Sequence, residues 1–158
     1  MRSSLTLTLI VVISSIISQS SLPPAAAAER ESQSQLHLVR KIYVGSMGET
    51  DEAERFRLLL EEQLSGKGFT VVDRPEKADA ILTGVLSVRV HDKKTRARVY
   101  VKLSTPEGAR LWGKDFGSRL TSPFNRTEPV KLRAQDVANG LRDEWERSTK
   151  SASTKTVQ

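Results

Sequence analysis

Apolar and polar positions along this chain follow two different periods, and the change from one to the other marks out its elements. Leu36, Leu38, Ile42 and Val44 alternate with His37, Lys41 and Tyr43, with a break at Arg40, and predict a first strand over 36–44. Gly45-Ser46-Met47-Gly48 reads as a turn. Ala53, Phe56, Leu59, Leu60 and Leu64 then recur at helical spacing, behind Thr50 as an N-cap and Asp51 and Glu52 in the first turn, and Gly66 and Gly68 close the helix. Phe69-Thr70-Val71-Val72 is a second short strand, turned by Asp73-Arg74-Pro75.

The period of two returns over Ala80 to Val90. Leu82, Gly84, Leu86, Val88 and Val90 share one side, and Thr83, Ser87 and Arg89 the other. His91-Asp92-Lys93-Lys94-Thr95 reads as a polar hairpin loop. In the strand from Arg96 to Ser104, Ala97, Val99, Val101 and Leu103 point inward while Arg98, Tyr100 and Lys102 point outward. Thr105-Pro106-Glu107-Gly108 turns the chain into a strand over Ala109 to Phe116, completing an antiparallel meander. After a polar loop over 117–128, Pro129 opens a long helix whose buried stripe is Val130, Ala134, Val137, Ala138, Leu141 and Trp145.

The order is thus β-α-β-β-β-β-α. Two amphipathic helices need an apolar sheet face to cover, and the meander supplies one while keeping its other face polar. The expected fold is α/β of the α+β kind: a two-layer sandwich, with a mixed sheet and two helices on one face. The domain is placed at 36–148, after a flexible lead-in at 29–35 and before a disordered tail at 149–158.

The first 28 residues have a different grammar. Met1-Arg2 is a short positive start, and Leu5 to Ile17 is a 13-residue apolar run diluted by Thr6, Thr8, Ser14 and Ser15. A spanning helix needs about 20 apolar residues, so this run is too short for stable membrane insertion. Leu22-Pro23-Pro24 breaks it, and Ala26 and Ala28 place small residues before a signal-peptidase cut. Residues 1–28 are therefore expected to be a signal peptide, and the working chain to be periplasmic or secreted. The chain has no cysteine, which excludes disulfides, thiolate metal sites and a lipidated cysteine, so the expected product is soluble once cleaved.

Composition adds little to the fold and something to the surface. Hydrophobic residues are 37% and charged residues 28% of the 158, an ordinary globular mixture. Of the 25 Lys and Arg and 19 Asp and Glu, only Arg2 lies in the leader, so the remainder keeps a modest basic excess that favours anionic partners.

Phe69-Thr70-Val71-Val72-Asp73-Arg74 after a leucine-rich helix, Ala78-Asp79-Ala80-Ile81-Leu82-Thr83-Gly84-Val85, and Leu103-Ser104-Thr105-Pro106-Glu107-Gly108-Ala109-Arg110-Leu111-Trp112 together resemble a group of bacterial envelope α/β domains. The group includes the amino-terminal domain of TolB, the curli secretion-channel lipoprotein and the lipoprotein activator of penicillin-binding proteins. The resemblance covers about residues 40 to 145. It implies this fold, and a role in binding proteins or assembling in the envelope rather than in catalysis. The chain departs from the lipoproteins in lacking their cysteine, and from TolB in lacking a propeller after the domain. No functional residue is carried over.

The residues themselves offer thin material for chemistry. Gly45-Ser46-Met47-Gly48 has neither the spacing nor the Lys-Ser/Thr of a phosphate loop, and Glu49, Asp51 and Glu52 would repel an anion there. Ser46 is not in a nucleophile elbow. His37 and His91 have no partnered carboxylate at useful spacing, and no His/Asp/Glu cluster has metal-ligand spacing. No catalytic, cofactor or metal site is expected. Glu49, Asp51, Glu52, Glu54, Glu61 and Glu62 read as a solvated helix face, and Asn125-Arg126-Thr127, given the bacterial source that the resemblance implies, as a chance glycosylation triplet.

The feature that stands out is the polar sheet face. Arg89, Arg96, Arg98, Tyr100, Lys102, Arg110, Trp112 and Lys114 all fall on outward positions and form the candidate binding face. Such a mixture suits nucleic acid in the cytoplasm. For an exported protein the expected partner is instead an envelope protein or an anionic envelope polymer such as a glycan or lipid headgroup. A merely solvated face, protected from aggregation by its long basic side chains, accounts for the same pattern.

Overall fold

The computed structural model describes residues 35–91, 94–120 and 129–155. The leader, nearly all of the lead-in, the centre of the hairpin loop, the Asn125-Arg126-Thr127 triplet and the last three residues lie outside the described residues. The elements are β1 (Lys41–Val44), α1 (Asp51–Gly66), β2 (Thr70–Val71), β3 (Ala80–His91), β4 (Lys94–Ser104), β5 (Arg110–Leu120) and α2 (Pro129–Lys155). The five strands form one sheet in the order β2-β1-β3-β4-β5. β1 is parallel to both β2 and β3, while β3, β4 and β5 run antiparallel. The sheet is mixed, with both helices packed against one face of it.

The local chemistry explains these elements. The Thr50 hydroxyl accepts from the Ala53 amide at 3.2 Å and caps α1, whose first turn carries Asp51, Glu52 and Glu54. At the other end Gly68 takes φ +88, and the Phe69 amide turns back to the Leu64 carbonyl at 3.2 Å. The side chain of Asp79 anchors the sheet's parallel half. One of its oxygens accepts from the Arg40 and Lys41 amides, at 2.8 and 2.7 Å, tying the start of β1 to the chain entering β3.

The core lies between the sheet and the helices. Phe56, Leu60 and Leu64 from α1, Val137, Ala138 and Leu141 from α2, and Leu82, Val99, Val101 and Leu103 from the sheet are buried together. Gly84 lets neighbouring chain segments of the sheet come close: a Cβ there would sit 2.4 Å from the Tyr100 carbonyl oxygen and 3.0 Å from the Met47 sulfur.

Several boundaries differ from the sequence expectation, each for a visible reason. Leu36–Leu38 is a 3₁₀ turn rather than the start of β1. Its Leu36 is buried, and the His37 amide donates to Ser148 Oγ at 3.1 Å. Residues 45–47 are not a plain turn. They continue β1 alongside β3 through Gly45 N to Leu82 O, Gly84 N to Ser46 O and Leu86 N to Met47 O, at 2.8, 3.1 and 2.9 Å. The hairpin loop is shorter than 91–95, because His91 pairs with Lys94. β5 runs to Leu120 instead of stopping at Phe116. The expected tail from 149 is helical as far as Lys155, continuing α2 past the 3₁₀ turn that packs on it.

Candidate functional site

The bare face of the sheet is set by the pairing of β3 with β4. Val85 lies opposite Tyr100, Thr83 opposite Lys102, Ser87 opposite Arg98 and Arg89 opposite Arg96. Cross-strand partners share a face, so these side chains stand together on the side away from the helices. Val85 is 62% and Tyr100 42% exposed, an apolar pair in contact with solvent at the middle of the face. Basic side chains border it.

β5 completes the face differently from the expected alternation. Leu103 pairs with Trp112 but the next residue, Ser104, pairs with Arg110, so Leu111 is an extra residue in β5. The extra residue reverses the alternation beyond it. Trp112, placed outward by its sequence position, is 8% exposed and turns under the helices, with its ring 6.4 Å from that of Phe116. Lys114 pairs with the inward Val101 and belongs to the same side. Its stem runs to the edge and brings Nζ 5.2 Å from the Phe116 ring. The outward residues of β5 are Arg110, Gly113 and Asp115. Arg110 lies across Gly113, where a Cβ would sit 2.7 Å from its Nη2.

Asp115, absent from the expected face, changes its charge. Arg98 Nε donates to Asp115 Oδ1 at 3.1 Å, and Arg98 Nη2 donates to Oδ2. That bidentate bond holds the Asp115 carboxyl below the usual carboxylate range and raises Arg98 further. Thus, of the eight residues read as the candidate face, the structure brings Arg89, Arg96, Arg98, Tyr100 and Lys102 together and adds Arg110 at the edge. Trp112 and Lys114 go to the other side. Nothing in the composition points to Asp115, whose role depends on register. Val85 is visible in the sequence as an apolar residue at an outward position among Thr83, Ser87 and Arg89.

Arg133 is a second residue that the helical pattern does not single out. It stands on the buried side of α2 at 7% exposure, and its Nε donates to the Ala97 carbonyl at 3.0 Å and Nη2 to the Gly117 carbonyl. Nη1 meets Asp136 at 3.0 Å. These carbonyls flank a second register shift, between Ala97 and Val99, so the guanidinium satisfies acceptors where the β4–β5 ladder is interrupted.

Several hollows among the described residues are open to solvent. A cleft of about 650 Å³ lies by residues 43–48 and is crossed by Arg57, which meets Glu54 at 2.6 Å and also pairs with Glu61. The hydrogen bond from Arg57 lowers the Glu54 pKa. A cleft of about 550 Å³ between β5 and α2 is lined by Leu36, Arg110, Trp112, Lys114, Glu144 and Arg147. A smaller groove of about 260 Å³ lies on the bare face, lined by Ser87, Arg89, Arg96 and Arg98. Among the described residues no group of three or more His, Asp or Glu side chains is placed to hold a metal ion, and no helix is long and apolar enough to cross a membrane.

No family model matches the chain, and no curated protein matches its sequence. Solved structures do match its fold. A PelC dodecamer from Paraburkholderia phytofirmans superposes with a TM-score of 0.53 at 20% identity, covering 65% of this chain and 86% of that one. A lipoprotein, GNA1162, from Neisseria meningitidis matches with a TM-score of 0.45 at 16% identity over 65% of this chain and 96% of that one. A minor lipoprotein from Acinetobacter baumannii gives 0.43 at 13% over 72% and 96%. The chain is thus an α+β domain with the fold seen in PelC, a bacterial protein. At such identities the likeness is one of fold.

Proposed function

We propose that this protein is an exported bacterial envelope module that works by protein–protein contact through the bare face of its sheet, without catalysis. The observation that carries the reading is the exposed Val85–Tyr100 pair at the centre of a sheet face that neither helix covers, ringed by Lys102, Arg98, Arg96 and Arg89. An apolar centre with a polar rim is how protein interfaces are built, and a partner offering an apolar spot edged by carboxylates is complementary to it. The signal-peptide reading of residues 1–28 supports export. PelC, the fold match above, is a dodecamer, and that likeness supports a second copy of this chain as one candidate partner.

Four carboxylates of the described surface are engaged by hydrogen bonds within the fold. Glu54, Asp73, Glu107 and Asp115 are all held below the ordinary carboxylate range, by Arg57, Lys77, the Thr105 hydroxyl and Arg98 respectively. For Glu54, Asp73 and Asp115 this is the ordinary effect of a surface ion pair.

Binding of an anionic polymer along the arginines is the second reading, favoured by Arg89 and Arg96 standing opposite each other. Salt separates the two. Cross-linking of the exported chain to its partner is expected to survive rising ionic strength, because the contact is centred on apolar surface. A steep fall with salt sinks the protein-contact reading in favour of the polyanion.

A further inference from the structure

We infer that the hairpin end of the bare face is a discrete site for a tetrahedral oxyanion of the phosphomonoester class, held between Arg89 and Arg96. The two arginines are direct cross-strand partners. Like charges directly opposite each other destabilise an antiparallel pair, and this one is retained on the exposed side of the sheet. Among the described residues no ion pair is made by Arg89 or Arg96, whereas the adjacent Arg98 has both oxygens of Asp115. The groove thus presents two such positive charges, next to one that is already matched.

The groove has the shape and donors for a dianion. Its lining is Ser87, Arg89, Arg96 and Arg98, with a volume of about 260 Å³. A planar guanidinium gives two parallel N–H donors to an oxyanion. A carboxylate has two oxygens and satisfies one such fork. A phosphate monoester has three terminal oxygens and close to two charges at neutral pH, so it accepts from both forks at once while the Ser87 hydroxyl donates to a further lone pair. Charge and donor geometry both favour the phosphoryl group over chloride or a single carboxylate.

The site shares its arginines with the rim of the protein contact proposed at Val85 and Tyr100 but does not need that apolar pair, and variants keep the two apart. Inorganic phosphate is titrated into the full processed chain against chloride at equal ionic strength, with thermal unfolding as the readout. Vesicles of phosphatidylcholine with and without phosphatidic acid form a second arm, read by co-sedimentation. Phosphate is expected to raise the melting temperature above the chloride control. Arg89→Gln and Arg96→Gln are each expected to weaken phosphate binding at least about tenfold, the loss of a charge-assisted hydrogen-bonded fork. In chloride alone each variant is expected to melt at or above the parent, because the repulsion is gone. The double variant Val85→Ser/Tyr100→Ser is expected to respond to phosphate like the parent. Response to phosphatidic acid vesicles alone, lost in the arginine variants, supports the same site with a lipid as the source of the phosphoryl group. An equal response to chloride, phosphate binding that persists in both arginine variants, or no response in either arm overturns the assignment.

Discussion

The two faces of β4 use the same eleven residues to opposite ends. Ala97, Val99, Val101 and Leu103 are sealed under α1 and α2, while Arg98 and Tyr100 between them remain exposed and Lys102 half-buried. The covered side is a matter of volume and satisfied polar groups: where a charge is buried there, at Arg133, the guanidinium is consumed by two carbonyls and a carboxylate. The bare side carries an apolar pair open to water and two arginines facing each other, outside the buried core. Side chains that cost the domain something and serve nothing in its packing are the ones to read for function.

Substitutions sharpen this contrast in graded steps. Phe56→Ala on the covered side should lose about 3–5 kcal/mol, a large part of what a small domain has, and appear as a much lower urea midpoint. Arg133→Met should cost about 2–3 kcal/mol, since the Ala97 and Gly117 carbonyls lose their donor and the Arg133–Asp136 ion pair is removed. Faster amide exchange confined to β4 and β5 would identify that mechanism. Gly84→Ala should cost about 1–3 kcal/mol, because its Cβ meets the Tyr100 carbonyl oxygen at 2.4 Å and the strand must shift.

The bare face should respond by chemistry and not by folding. Changing Arg96, Arg98 and Lys102 together to Ser should leave the domain folded, with a denaturation midpoint close to the parent's. The same change should release Asp115. Its pKa is depressed by the Arg98 hydrogen bond, so whatever stability the pair supplies is complete above the ordinary carboxylate range and lost as pH falls through the lowered value. In the variant, NMR titration should find Asp115 protonating at higher pH, back toward an unpaired aspartate. An unchanged titration would mean that the ion pair does not form in solution. A triple variant that unfolds would mean the two faces have been assigned the wrong way round.

Much of this contrast is legible in the amino-acid sequence. The order β-α-β-β-β-β-α, the two-layer arrangement and the inward set of β4 follow from periods of 2 and 3.6, because covered positions must be apolar whatever their neighbours are. β5 resists the same logic. Leu111 and Trp112 are consecutive and both buried, a sign of an extra residue that strict alternation overrides, and strict alternation therefore puts Trp112 and Lys114 on the wrong side. Asp115 cannot be read from sequence at all. Its partnership with Arg98 spans 17 positions and exists only in the bulged register. The helical end of the chain escapes sequence reading for a related reason. Ser/Thr/Lys composition argues against a helix, but the 3₁₀ turn at Leu36–Leu38 and the Trp145 indole, which donates to the Val39 carbonyl at 3.0 Å, pack the neighbouring part of α2.

The most direct test of the central claim compares partner capture by the parent with capture by Val85→Ser/Tyr100→Ser. Cross-linking would be done in the envelope fraction, with melting temperature measured alongside. The double variant is predicted to keep the parent's melting temperature to within a few degrees, since both side chains are already exposed, and to lose the cross-linked species that the parent forms. An undiminished cross-linked species from a folded double variant would contradict the account and assign the contact to another surface.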